Sequence, residues 1–198
     1  ISNATIIADY VMSDEGVFYF NKARPAFERR SVDWLLLHES TPGHHFQTRY
    51  ARARQACATA MPRTFYPGYA EGWAAYVEEF GTVLGLYRQA SDELGAVEWD
   101  LVRSIRVVLD VGINARGWSP AQALDCWQRQ LPMLPELAER EIARVRNWPV
   151  QAMCYKQGAA LLRDLRAREQ QRLGQAFDIR AFHDRVLRHG AVPLALLP

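Results

Sequence analysis

Lysine is almost missing from this sequence: Lys22 and Lys156 are the only two among 24 basic residues. Arginine carries the rest, and 22 carboxylates bring the net charge to +2. Without a strong charge excess, and with no basic stripe interleaved with aromatics, nucleic-acid binding is excluded as the leading reading. Long apolar runs are also lacking: none reaches the eighteen or so residues that a membrane-spanning helix needs. Cysteine is scarce. Cys57, Cys126 and Cys154 are far apart, odd in number and form no C-x-x-C pair, so small buried thiols are expected rather than disulfides or catalysis. Internal repeats and low-complexity segments are absent. No signal peptide is visible, and Ser2-Asn3-Ala4 at a start without methionine reads as an expression scar. The compartment is therefore not legible, and a longer native chain is expected.

What is present is apolar material for a core. Hydrophobic residues make up 49% of 198, enough for one domain, expected over residues 5–198. Gly16-Val17-Phe18-Tyr19-Phe20-Asn21 is a short strand candidate ending at a turn former. Most of the rest reads as helix. Ser31 is the expected cap of a helix that carries His38. Helical patterns follow over 44–60, 69–87 and 92–115. Met61-Pro62 and Tyr66-Pro67-Gly68 mark a loop between the first two of these. In the third, Leu94, Val97, Leu101, Ile105, Val108 and Gly112 recur at three- and four-residue steps and predict a buried stripe. Ser119-Pro120-Ala121-Gln122 is a helix start with a capping box. Further helices are expected over 135–147, 150–173 and 178–189, the last capped by Asp178 and stopped by Gly190. The fold class is mainly α: a multi-helix domain with at most a short strand or small sheet near the N-terminus.

The most informative stretch is His38-Glu39-Ser40-Thr41-Pro42-Gly43-His44-His45. It sets imidazoles beside a carboxylate, the inventory of a zinc hydrolase, where a carboxylate activates a metal-bound water. The common form is H-E-x-x-H on one helix, with the two histidines four apart. Here Pro42 stands at the second histidine's place. On a regular helix His44 is rotated by roughly 240° from His38, and His45 returns to the same face only roughly 10 Å further on. Pro42 breaks the backbone bonding, and Gly43 opens angles closed to other residues, so a break there would swing His44 back toward His38. A kinked core helix with hydrogen-bonded histidines accounts for the spacing as well. Because the Pro-Gly insertion adds two residues, His44 rather than His45 is the expected partner of His38.

Glu71 lies one loop and a few turns downstream, in Glu71-Gly72-Trp73-Ala74. Taken alone, an acid near a helix start complements the helix dipole. Taken with the histidines, it completes two nitrogens and a carboxylate, with an open position for water.

His38-Glu39-x-x-Pro42-Gly43-His44-His45-x-Gln47 followed by Glu71-Gly72-Trp73-Ala74 resembles the bacterial domain-of-unknown-function 885 family. Its members carry an HExxPGHH signature and are regarded as zinc metallopeptidases related to the gluzincins. Arg103, Arg106, Asp110, Gly112 and Gly117-Trp118 fit the same pattern. So do Pro149-x-Gln151-Ala152, Tyr155-Lys156-x-Gly158, Phe182-His183-Asp184, Gly190 and Pro193-Leu194. The resemblance runs from about residue 10 onward. It implies His38, His44 and Glu71 as zinc ligands and Glu39 as general base. It also implies that this chain corresponds to the C-terminal, catalytic portion of longer proteins whose N-terminal part walls the cleft. One position departs: Asn114 stands where the family often has histidine.

Tyr155 has two readings. Gluzincin peptidases often use a tyrosine or histidine to stabilise the tetrahedral oxyanion, and a core tyrosine with a bonded hydroxyl fits the sequence as well. His183 and His189 read as structural, the latter as a helix C-terminal cation. Two functions follow as expectations. One is a zinc-dependent metallopeptidase acting on peptides or small amides, with residues 17–20 available to pair with an extended substrate. The other is a non-catalytic metal-binding or scaffolding domain that keeps the fold.

Overall fold

The computed structural model describes residues 8–9, 19–20, 29–54, 66–188 and 190–197. Two very short strands, β1 (Ala8–Asp9) and β2 (Tyr19–Phe20), pair antiparallel, with Ala8 opposite Phe20. The rest is helical: α1 (Val32–Glu39), α2 (His44–Arg54), α3 (Pro67–Val77), α4 (Ala90–Asp110), α5 (Pro120–Gln130), α6 (Ala138–Asn147), α7 (Met153–Leu173) and α8 (Ile179–Leu187). The fold is mainly α, as expected, and the strand candidate finds a partner in Ala8–Asp9. The rest of that candidate, Gly16 to Phe18 and Asn21, lies outside the described residues, as do residues 55–60 of the helix expected over 44–60, Met61-Pro62, Cys57 and His189. Among the described residues no helix is long and apolar enough to cross a membrane.

Local chemistry sets several helix ends. Ser119 Oγ accepts from the Gln122 amide at 3.3 Å, and Gln122 Oε1 accepts from the Ser119 amide at 2.9 Å, closing the expected capping box. Asp178 accepts from the amides of Arg180 and Ala181. Three expectations are corrected. Ser31 ends a 3-10 turn with helical backbone angles, and its side chain makes no cap bond. Pro67-Gly68 is not loop: Pro67 opens α3, a position where its missing N–H costs nothing. The helix expected to run to Tyr87 stops at Val77, tightens to 3-10 over Glu78–Phe80, and gives way to a turn closed at Gly85, whose φ is +72°.

Among the described residues two apolar clusters form the core. One joins α4, α5 and α6 around Val102, Leu109, Trp127, Leu131 and Ile142. The other joins α3, α7 and α8 around Trp73, Tyr76, Leu162, Phe182 and Val186. Cys126 is buried in the first cluster, as expected, whereas Cys154 is half-buried. In the second cluster α3 and α7 meet backbone to backbone. A Cβ built on Gly72 would lie 2.4 Å from Gly158 Cα, and one on Gly158 would lie 2.2 Å from the Gly68 carbonyl oxygen. His183 packs among Trp73, Tyr76 and Phe80, bonded to the Tyr76 hydroxyl at 2.9 Å, which is the structural role expected of it.

Helix α4 reverses the predicted stripe. Leu94, Val97, Leu101 and Val108 are 37–65% exposed, while Ile105 and Gly112 are buried. The inward face carries Asp92, Arg103, Arg106 and Asp110 beside Val102 and Leu109. Hydrophobic periodicity failed here because the buried arginines meet buried carboxylates: Arg103 meets Glu78, and Arg106 meets Glu141. Pairing removes the penalty that polarity alone would predict.

Three stability results are expected from urea melts. Gly158→Ala, which would gain about 1 kcal/mol in an ordinary helix interior, should here lose about 1–3 kcal/mol, because only backbone can yield. On α4, Val97→Ser should change stability by no more than about 0.5 kcal/mol. Leu109→Ala should cost about 2–5 kcal/mol.

Candidate metal centre

The break between α1 and α2 does what the Pro-Gly pair predicts. After Ser40, whose amide still bonds to the Leu36 carbonyl at 2.9 Å, the chain turns through Thr41–Gly43 with a cis Thr41–Pro42 bond. A Cβ on Gly43 would sit 1.9 Å from the His38 carbonyl oxygen, so the reversal needs glycine there. Helix α3 holds the turn from outside: Trp73 Nε1 donates to the Pro42 carbonyl at 2.8 Å, and Gln47 Nε2 to the Tyr69 carbonyl at 3.3 Å. The rings of His38 and His44 end up with centroids 4.8 Å apart.

Glu71, near the start of α3, faces both rings. Its Oε2 lies 3.2 Å from His44 Nε2 and 3.5 Å from His38 Nε2. One donor atom from each of the three residues falls within 4.8 Å of the others. Two ligands of a tetrahedral zinc, at roughly 2.0–2.1 Å from the ion, stand roughly 3.3–3.4 Å apart. The two Glu71 distances bracket that value, so the donor set fits a small divalent cation in chemistry and in spacing. His45 is not part of this group among the described residues.

Behind the histidines lies a charged layer that sequence reasoning left without a role. Glu78 Oε1 accepts from His38 Nδ1 at 2.7 Å, and Glu78 Oε2 accepts from Arg103 Nη1 at 2.7 Å. All three residues are buried. A carboxylate on one ring nitrogen fixes the tautomer and aims the other nitrogen outward, so Nε2 of His38 is the one presented to Glu71 and His44. Glu78 follows Glu71 by seven residues, two helical turns, and that spacing was the available signal.

Burial alone would lower the His38 pKa, but the bonds to Glu71 and Glu78 outweigh it and raise the ring to about 9. For Glu71, burial acts upward, and the two histidines overcome it, holding the carboxyl well below the usual carboxylate range. Glu78 is likewise held low, with Arg103 overcoming burial.

Glu39, the last residue of α1, is half-buried, and its carboxylate has no hydrogen bond or ion pair among the described residues. Tyr155, in the first turn of α7, is buried with its ring stacked 6.1 Å from that of His38 and 5.5 Å from the Arg103 guanidinium. Its hydroxyl oxygen accepts from Arg144 Nη2 at 3.0 Å and from Gln151 Nε2 at 3.1 Å. Both contacts leave the phenol proton to donate. Burial and the Glu71 charge push its pKa up, so that proton is retained. Asn114 donates to Asp110 Oδ1 at 3.0 Å and to the Val145 carbonyl at 3.2 Å. Asp110 Oδ2 in turn holds the amide of Val150, a β-branched residue at φ +71°.

With no ion bound, these ionisations give the stability of the cluster a definite pH window. The raised His38 contributes in full below its unfolded pKa of about 6.5, and that contribution is lost as pH rises through about 9. The depressed Glu71 and Glu78 contribute above about pH 4.3 and lose their contribution as pH falls below it. The chelator-treated protein should therefore lose about 2–4 kcal/mol between pH 6 and 9.5 in denaturant melts, and His38→Gln should remove most of that slope.

The comparisons with known proteins agree on the fold. A solved structure described as "the putative lipoprotein from Colwellia psychrerythraea" superposes with a TM-score of 0.90 at 31% identity. It matches 98% of this chain and 34% of its own. A second protein of the same description, of unknown function, from Shewanella oneidensis gives 0.75 at 23% identity over 93% of this chain and 36% of its own. The chain thus spans about a third of the length of both solved chains. No curated protein matches it. The family model of bacterial proteins of unknown function DUF885 matches residues 8–198, and the chain belongs to that family.

Proposed function

We propose that the chain carries the catalytic centre of a zinc-dependent metallopeptidase that hydrolyses peptide or small amide bonds. The observation that carries this reading is the convergence of His38, His44 and Glu71, with His38 oriented from behind by Glu78. His38 Nε2, a ring nitrogen of His44 and a Glu71 oxygen would hold the ion. When bound, zinc supplies Lewis acidity toward the carbonyl and acidifies water.

The chain's own groups supply the proton traffic. Glu39 accepts a proton from the attacking water as its oxygen bonds to the carbonyl carbon. It returns that proton to the amine as the C–N bond breaks, so one water is divided between acid and amine. Glu39 is the base rather than a ligand because it adjoins His38, and adjacent helix residues do not share a face. Tyr155 offers its retained proton to the developing oxyanion, and the donors from Arg144 and Gln151 onto its oxygen make that proton more acidic in effect.

Two variants separate the roles. Glu39→Gln keeps size and hydrogen bonding but accepts no proton. Zinc content should stay near one ion per chain while turnover of a peptide substrate falls by roughly a hundredfold or more. Glu71→Gln should lose zinc on dialysis before any other defect shows, because a charged ligand is gone. Zinc lost from the Glu39 variant and kept by the Glu71 variant would mean that these assignments are reversed.

A further inference from the structure

Arg144, near the C-terminal end of α6, differs from the other cations around the centre. Arg103 is committed to Glu78, Arg106 and Arg140 to Glu141, Lys156 to Asp100, and Arg166 to Glu79. Arg144 bonds only to neutral acceptors among the described residues: Gln151 Oε1 at 3.1 Å and the Tyr155 hydroxyl at 3.0 Å. Both bonds leave from Nη2, so three of its five N–H groups remain for another partner. The side chain is half-buried, and its position is fixed. Gln151 is buried and grips both Arg144 and Tyr155, and the turn that presents Gln151 is clamped by Asp110 at the left-handed Val150. A planar guanidinium held on one side and open on the other is suited to receiving a carboxylate.

The tyrosine that Arg144 touches is the one stacked on His38, with 6.1 Å between the rings. Extended peptide advances about 3.3–3.6 Å per residue, so an anion on Arg144, which reaches His38 through Tyr155 alone, would lie within a few residues of the bond being cut.

Resting on the metallopeptidase reading above, we propose that Arg144 binds the free α-carboxylate of the substrate. The enzyme then acts near the C-terminal end of peptides, releasing a short C-terminal piece. Amidated or internal peptide bonds lack the group that Arg144 recognises.

The test uses the zinc-loaded chain and two probes in calorimetry: the hydroxamate of succinyl-phenylalanine with its α-carboxylate free, and the same molecule as the α-carboxamide. The hydroxamate reports the metal, and the ratio of the two affinities reports Arg144. The native chain should bind the free acid about ten- to a hundredfold tighter, the scale of a charge-assisted pair. Arg144→Gln should bring the ratio close to one, while Arg144→Lys, which keeps a point charge, should leave it intermediate. Equal binding of both probes by the native chain overturns the carboxylate seat and leaves the metal reading standing. Arg144→Gln weakening both probes alike, with the ratio unchanged, shows a merely structural arginine and overturns it too. No binding of either probe overturns both readings.

Discussion

The contact between Gly72 and Gly158 is the constraint on which the centre depends. Helices α3 and α7 approach until backbone touches backbone, and no side chain fits between them. Glu71 is the residue before Gly72, and Tyr155 lies one turn before Gly158. The crossing therefore sets a carboxylate and a phenol at a fixed offset before any histidine is placed. The histidines then hang from the same pair of helices. Trp73 holds the Pro42 carbonyl, Gln47 reaches the Tyr69 carbonyl, and His38 rests against Tyr155. The glycines are spaced for the crossing, the tryptophan for the turn and the glutamate for the histidines. That division of labour accounts for most of the Glu71-Gly72-Trp73 sequence.

Buried charge is the second organising feature, and stability alone does not explain it. Removing two charges from water costs several kcal/mol per ion, and well-packed apolar side chains often serve as well or better. Yet the interior holds Glu78 with Arg103, and Glu141 with Arg106 and Arg140. The Glu78 pair has a directional consequence that leucines would not reproduce. One oxygen is committed to Arg103, and the other fixes Nδ1 of His38, so the ring has a single free nitrogen and a single orientation. Arg103 is thus three contacts removed from Glu71 along this route and still governs which atom of His38 meets it.

How much of this was legible in the sequence depended on the kind of signal. The chemistry of His38, Glu39, His44 and Glu71 was visible because ligand-forming side chains are rare and their order along the chain is informative. Their convergence hung on one backbone reversal, and Pro42-Gly43 announced it. The caps at Ser119 and Asp178 were legible because a cap is a local hydrogen bond. Pro67-Gly68 misled, since the same dipeptide serves a loop or the first turn of a helix, and only the packing of Gly68 against α7 decides. The buried face of α4 was illegible for a deeper reason. Periodicity weighs each side chain by its own polarity, whereas Arg103 and Arg106 are buried by virtue of partners 25 and 35 residues away. Glu78, on the same helix side as Glu71 in the sequence pattern, went without a role for the same reason, being the other half of one of those pairs.

Asn114 shows how a departure from the family pattern is read once its bonds are known. Its amide donates to two acceptors, the Asp110 carboxylate and the Val145 carbonyl. A neutral imidazole has a single N–H and would satisfy one of them. Asparagine at this position therefore answers a local demand for two donors. Through Asp110 it supports the strained backbone of Val150, which leads directly into Gln151 and so to the Tyr155 hydroxyl. In this chain the residue acts on the centre from behind, through four successive contacts, and its bonds are spent on the fold.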